Sequence, residues 1–288
     1  MRPKLGVIVP PWYPPEVLEP AVVEAERQGF DQVWLWEDCF KQSGLASAAA
    51  ALAWTERIEV RVGLMPVPLR NVALVAMEAA TLDRLFPGRF RPVVGHGVQD
   101  WMQQVGARSA APLTLLREYV VALTRLLAGE VVTVSGRFVQ LDAVQLDWPP
   151  LEPMGVMAGA SGPRTLEAMG AVASGVLIDS GNAPEDLRAL LRLVHQGAAD
   201  AGRTELPDAA VYVHTALGDD APGRLAAHVG DAARDKGLAG SARDIVEGVG
   251  RYADAGASSV VLRPLEDEPD IVAFIRAVGS EVVGRLRA

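Results

Sequence analysis

The sequence predicts an α/β protein, a (β/α)8 TIM barrel with a short insertion between its fourth and fifth strands. Eight short runs rich in β-branched residues are each followed by a longer helical pattern. Parallel strands need a crossover connection, so strand followed by helix, repeated along a chain, predicts a parallel sheet. The first four strand starts, Leu5, Gln32, Glu59 and Phe90, are 27, 27 and 31 residues apart, the length of one βα unit. Eight such units in 288 residues match a barrel. No linker or charge run divides the chain, so one domain over residues 1–288 is expected.

The strands fall near Leu5–Val9, Gln32–Trp36, Glu59–Leu64, Phe90–Gly95, Gly155–Ala158, Gly175–Asp179, Ala210–Thr215 and Ser259–Arg263. Helical patterns cover Glu16–Gln28, Gly44–Thr55, Val72–Leu85, Leu113–Ala128, Pro163–Val172, Pro184–Ala201 and Asp270–Arg287. A further helical region, Pro222–Ala255, is long enough for two helices split around Gly237–Ser241. The insertion spans about residues 130–153. There Val131–Val134 and Arg137–Leu141 flank Ser135-Gly136, a hairpin signal, before Trp148-Pro149-Pro150 ends the run.

Composition narrows the function. With 27 basic and 36 acidic side chains the net charge is −9, so no domain-wide basic field exists to hold nucleic acid or an anionic membrane. An anionic ligand needs a local pocket. The single cysteine, Cys39, forms neither an internal disulfide nor a Cys-rich zinc site, which predicts a reducing, cytoplasmic setting. The apolar run Leu5–Pro10 is too short for a signal peptide, and the Ala-rich tract Gly44–Trp54 is about half of a bilayer span.

In a barrel the chemistry sits at the carboxyl ends of the strands. The loop Ala158 to Thr165 follows a strand and opens a helix with proline in its first turn. Its free N–H groups and the positive helix end suit a phosphate, with Arg164 and Arg263 as local cations. An ordinary βα turn fits the same residues. Gly95-His96-Gly97 lacks the third glycine of a dinucleotide fingerprint, because position 100 is Asp100. Its two glycines instead suggest a flat ligand passing close to the backbone.

Of the four histidines only His96 is expected on the active face. His195 and His228 fall on helix surfaces, and His214 lies in a strand with a hydrogen-bonded core role. No metal-ligand spacing occurs, so no catalytic metal is expected. Glu37 and Asp38 end an apolar strand, and alternation sends one into the mouth and the other into the neighbouring layer. A carboxylate there serves a cofactor ring or acts as acid or base; helix capping or a buried ion pair is the alternative. No Ser-His-Asp order, nucleophile elbow or P-loop supports a hydrolase or kinase. Cys39 beside Asp38 is expected to have a raised thiol pKa, unsuited to a nucleophile.

These positions carry a resemblance. Gly29 to Asp38, Leu69-Arg70-Asn71, Thr81-Leu82-Asp83-Arg84-Leu85-Phe86-Pro87-Gly88-Arg89-Phe90, Gly95-His96-Gly97 and Ala158 to Leu166 resemble, in order and spacing, the luciferase-like monooxygenase superfamily. The likeness is to its deazaflavin branch, which uses coenzyme F420 and includes the methylenetetrahydromethanopterin reductases. The resemblance implies a TIM barrel holding the deazaflavin ring over its mouth, with the phosphate at Gly159, Ala160, Ser161, Gly162 and Arg164. It implies that Asp38 contacts the ring and that a non-proline cis bond at Gly63-Leu64 lies behind it. Gly95 and Gly97 are the expected glycines beside the ring.

The implied activity is hydride transfer between F420 and a small organic substrate, with His96, Glu37 or Asp38 as proton donor and Trp12, Trp101 and Glu37 facing substrate. Alternatives are an FMN-dependent monooxygenase of the same fold, a flavin-binding protein without turnover, and a sugar-phosphate barrel enzyme without flavin. Members that oxidise a sugar phosphate carry His and Glu where this chain has Cys39 and Val98, so that reaction is not expected. Related enzymes dimerise through the helices matching Gly44–Trp54 and Val72–Leu85, so a homodimer is expected.

Overall fold

The computed structural model describes residues 2–230 and 235–287. Eight strands close a parallel barrel: β1 (Lys4–Val9), β2 (Gln32–Leu35), β3 (Glu59–Pro66), β4 (Phe90–Gly95), β7 (Met157–Gly159), β8 (Gly175–Ile178), β9 (Asp208–Leu217) and β11 (Ser259–Pro264). Closure is made where β8 pairs with β9 and β11 pairs with both β9 and β1. The crossover helices are α1 (Leu18–Arg27), α2 (Gly44–Trp54), α3 (Val72–Leu85), α5 (Pro112–Leu127), α6 (Pro163–Val172), α7 (Pro184–Asp200), α8 (Ala221–Val229), α9 (Ala242–Asp254) and α10 (Ile271–Val278). A short α4 (Gln99–Gln104) follows β4, and α11 (Gly284–Arg287) ends the described chain.

Alternation along the strands builds two cores. One set of side chains fills the barrel: Ile8, Trp34, Val93, Met157, Leu177, Ala210, Tyr212 and Val261. Their sequence neighbours, such as Val7, Val33 and Leu262, face outward against Leu52, Leu123, Val249 and Ile275 of the helices. The amino-terminal end of the barrel carries polar groups. There Arg61 stacks 5.2 Å from the Trp34 ring and bonds Glu59 at 3.1 Å, while Trp34 Nε1 donates to Gln32 at 3.0 Å. This fills the bottom, so a ligand is left only the carboxyl end.

The short α4 is not expected, and the helix read over Asp270–Arg287 is interrupted by a π-helical stretch at Gly279–Val283; three further departures concern the strands. The fifth barrel strand runs Met157–Gly159, not Gly155–Ala158, because β4 pairs with it only through Val93 and Val94. In the insertion, β5 (Val132–Ser135) and β6 (Gln140–Val144) form the expected hairpin, but the turn is residues 136–139 and not Ser135-Gly136. The Glu118 carboxylate dictates that turn by accepting from the backbone N–H groups of Arg137, Phe138 and Val139 at 2.8–3.0 Å. The third departure is β10 (Gly237–Gly240), where only a break between helices is expected. β9 has ten residues and β8 covers its edge only to Val211, so β10 takes the same edge from His214 to Leu217. Part of the helical region read over Pro222–Ala255, residues 231–234, lies outside the described residues. Among the described residues no helix is long and apolar enough to cross a membrane.

Candidate active site

A cavity of about 490 Å³ opens at the carboxyl ends of the barrel strands. Its walls follow from β2. Trp34 points into the barrel, so Trp36 and Asp38 continue upward on the same side, and both line the mouth. Glu37 borders the mouth too, but its carboxylate turns away to Arg70. Both of its oxygens accept from the Arg70 guanidinium, one at 2.8 Å, in a bidentate pair with each side chain at most 15% exposed. Of the alternatives open for these two carboxylates, the buried ion pair holds for Glu37 and the mouth position for Asp38. Burial pushes the Asp38 carboxyl above its ordinary value; nearby Lys41 and Arg263 oppose the shift and Asp179 adds to it.

The floor is made by β3. Gly63 pairs with Val93 and Met65 with Val94, so Leu64 is an extra residue that pairs with nothing. The Gly63-Leu64 bond is cis, at the position the resemblance indicates. Leu64 lies in the mouth across Gly95 and Gly159. A Cβ on either glycine would come within 2.5 Å or 2.4 Å of a Leu64 methyl. These two bare positions therefore accommodate Leu64, where the sequence suggests direct approach of a ligand to the backbone. Gly97 adopts φ +67°, and a Cβ there would meet Pro66 at 2.8 Å. Beneath the floor Tyr212 donates its hydroxyl to the Gly63 carbonyl at 2.8 Å, and burial raises its pKa well above the ordinary value, so it stays protonated.

His96 stands at the end of β4. Burial lowers its pKa, and its Nδ1 is buried without a partner. Arg263, at the end of β11, places its guanidinium 4.9 Å over the Trp36 ring and bonds Ser180 Oγ at 2.6 Å. On the far rim α6 starts at Gly162 with no side chain capping it, and the N–H groups of Ser161 and Gly162 make no hydrogen bond within the described chain.

Most of the residues singled out from sequence therefore meet here: Asp38, Glu37, Gly63, Leu64, His96, Gly97, Trp101, Gly159, Ala160 and Ser161 line the mouth. Gly95 lies under Leu64 and Gly162 heads α6. Two residues lie apart. Trp12 packs edge-on 5.8 Å from Trp36, and Arg164 is exposed in a groove with Arg117 on the outer face of α5 and α6. The structure adds Tyr212, Leu177 and Asp179; the first two are found by carrying the inward alternation through β8 and β9. Cys39 has its thiol pKa raised, by burial first and then by Glu37 and Asp38. His214 is buried but not hydrogen-bonded at Nδ1; its ring meets that of His228 at 4.9 Å, and burial lowers its pKa to about 3.

A closed parallel barrel with its ligand cavity at the carboxyl ends of the strands defines the class of (β/α)8 barrel proteins. Within that class the chain belongs to the luciferase-like monooxygenase family, which matches it over residues 14–259. It is 31% identical over 199 residues to a 5,10-methylenetetrahydromethanopterin reductase of Methanolobus tindarius, covering 68% of this chain and 60% of that protein. It is 29% identical over 205 residues to an F420-dependent glucose-6-phosphate dehydrogenase of Nakamurella multipartita, covering 66% of this chain and 60% of that one. The matches thus span about 60% of the length of these curated relatives. The fold is that of the coenzyme F420-dependent tetrahydromethanopterin reductase of Methanopyrus kandleri, with TM-score 0.84, 20% identity, and 99% of this chain and 100% of that one covered. An F420-dependent secondary alcohol dehydrogenase in complex with an F420-acetone adduct superposes with TM-score 0.86 and 21% identity over 98% of this chain and 99% of that one.

The raised Asp38 pKa has a consequence for stability. An acid whose folded pKa lies above its unfolded value binds more protons when folded, so stability falls as pH rises from 3.8 to the raised value. Asp38→Asn is expected to match wild type near pH 3 and to be more stable at pH 7. Denaturant midpoints across that range check this, and an equal or lower midpoint at pH 7 contradicts it.

Proposed function

We propose that the protein is a cytoplasmic oxidoreductase that uses coenzyme F420 to transfer a hydride to or from a small organic substrate. One observation carries the proposal: a floor of Leu64 over two bare glycines lies beside an uncapped helix start in a single cavity. The floor supports a flat ring from behind, and the helix start supplies N–H donors and a positive dipole end for a phosphate. The relatives and structural neighbours named above include F420-dependent enzymes, which supports the same cofactor. Bound there, the deazaflavin supplies a two-electron hydride carrier.

The chain's own part is positioning and proton control. Gly159, Ala160, Ser161 and Gly162 would hold the phosphate, and exposed Arg164 would add positive charge from outside the rim. With a ring bound over it, Leu64 would back one face, and the side toward Trp36, Trp101 and Val98 would be left for substrate. A deprotonated His96 there is a proton acceptor in the oxidative direction, and Asp38, with its raised pKa, holds a proton nearer to neutral pH than an ordinary carboxyl does. Glu37 acts through Arg70 as a positioning residue. Cys39 and Val98 stand where the family resemblance expects His and Glu in members that oxidise a sugar phosphate, so a planar organic molecule is the better substrate class.

Gly162→Asp separates cofactor binding from folding. Gly162 has extended backbone and open space around its Cα, so aspartate there caps α6 and repels a phosphate. The expected result is an unchanged or slightly raised Tm with F420 affinity reduced about tenfold or more, read by ring fluorescence. Wild-type F420 affinity in this variant moves the phosphate elsewhere. FMN binding without any F420 binding in the wild-type protein favours the flavin monooxygenase and overturns the deazaflavin assignment.

Homodimer formation through α2 and α3 is part of the same proposal. Trp54, Leu74, Met77 and Leu85 are 40–66% exposed, and Leu74 and Met77 share one face of α3. Sedimentation at micromolar concentration is expected to give twice the chain mass of 30.6 kDa. A monomer at that concentration dismisses the dimer.

A further inference from the structure

A second cavity, of about 460 Å³, lies on the other side of the β3–α3 connection from the mouth. Its walls are that connection, residues 67–72, the segment Gly106–Ala110 after α4, and the turn of the β5–β6 hairpin; Leu115 and Tyr119 of α5 reach it from below. Its volume falls within the range that accommodates small organic ligands.

Charge sets it apart from the neighbouring cavities. The mouth is lined by Glu37, Asp38 and Asp179, the groove beside α6 by Glu118, Glu167 and Asp200, and the groove beside α8 by Asp244 and Glu247. The second cavity has no carboxylate in its lining and has two guanidinium groups, Arg70 and Arg108. In a chain of net charge −9 this is a local reversal. Glu37 and Glu78 approach Arg70, but neither lines the cavity. Arg70 uses two of its N–H donors on Glu37, and a guanidinium has five.

The second observation is Tyr119. The residue is 2% exposed and its hydroxyl is buried with no hydrogen-bond partner. A buried hydroxyl left unpaired costs about 1–3 kcal/mol, which an acceptor entering the cavity beside Tyr119 would recover. Val67, Leu69 and Phe138 supply an apolar wall.

We propose that this cavity is a binding site for an organic anion, a carboxylate on a short apolar body. The carboxylate is received by Arg70, the Tyr119 hydroxyl and, at the rim, Arg108; the body packs on Phe138, Leu69 and Val67. This site is independent of the redox assignment and stands or falls separately from it.

Isothermal calorimetry on the intact protein, with 3-phenylpropanoate as probe and the neutral 3-phenylpropanamide as control, tests it. Saturable binding of the acid is expected, at least about tenfold tighter than the amide, because hydrogen bonds to a charged group are the stronger kind. Tyr119→Phe is expected to weaken the acid about tenfold while leaving the fold at least as stable, since it removes an unpaired buried group. Ser109→Asp puts a carboxylate into the lining and retains an oxygen able to accept the Ala111 N–H, which Ser109 Oγ accepts at 3.2 Å. It is expected to abolish acid binding with F420 affinity unchanged. No saturable heat up to about 10 mM acid, equal binding of the amide, or wild-type binding of the acid in both variants each overturns the proposal.

Discussion

The hydrogen bond from the Tyr212 hydroxyl to the Gly63 carbonyl is the contact on which the mouth depends. It joins β9 to β3 across the barrel interior, 149 residues apart in sequence. Space for it exists only because position 63 has no side chain: a Cβ there would stand 2.2 Å from that hydroxyl and 2.7 Å from the Trp34 ring. With Gly63 held, the next residue leaves the β3–β4 register and Leu64 turns into the mouth. Leu64 in turn requires glycine at 95 and 159, on two further strands. Five strands thus contribute to one surface, and a single donor inside the barrel sets its height.

The period of two along β2 supplies the polar half of the site. Trp34 fills the barrel, Trp36 walls the mouth, and Asp38 rises above it on the same side, while Glu37 turns outward to Arg70. Burial acts on the groups that remain: it raises the Asp38 carboxyl and lowers the His96 imidazole, so both tend toward their neutral forms. Arg263 is held in the mouth by stacking on Trp36 and bonding Ser180. The net charge of −9 excludes a general affinity for anions without affecting any of this, because the proposed anion sites, the start of α6 and the cavity beside Arg70, are local.

Much of this is legible in the sequence, and what is not has a common physical cause. Strand-helix alternation identifies the barrel, and the strand ends identify Asp38, His96 and the loop before α6, since these depend on local pattern. Alternation also separates the roles of Glu37 and Asp38, although only the structure shows that Arg70 is the partner of Glu37. The features missed are set by partners distant in sequence. Tyr212 finds Gly63, Glu118 places the hairpin turn, and the long β9 recruits β10. The glycines at 95 and 159 stand out in the sequence, but the residue they accommodate, Leu64, does not. Arg164 follows a helix start in sequence, yet its side chain leaves on the outer face.

Tyr212→Phe isolates the hydrogen bond to Gly63, because it removes one oxygen and preserves the ring that fills the barrel. F420 affinity, read by fluorescence titration alongside far-ultraviolet circular dichroism, is the measurement. The expected result is an unchanged spectrum with affinity weakened about tenfold, the effect of one buried carbonyl left without its donor. Wild-type affinity in a folded Tyr212→Phe protein would contradict it.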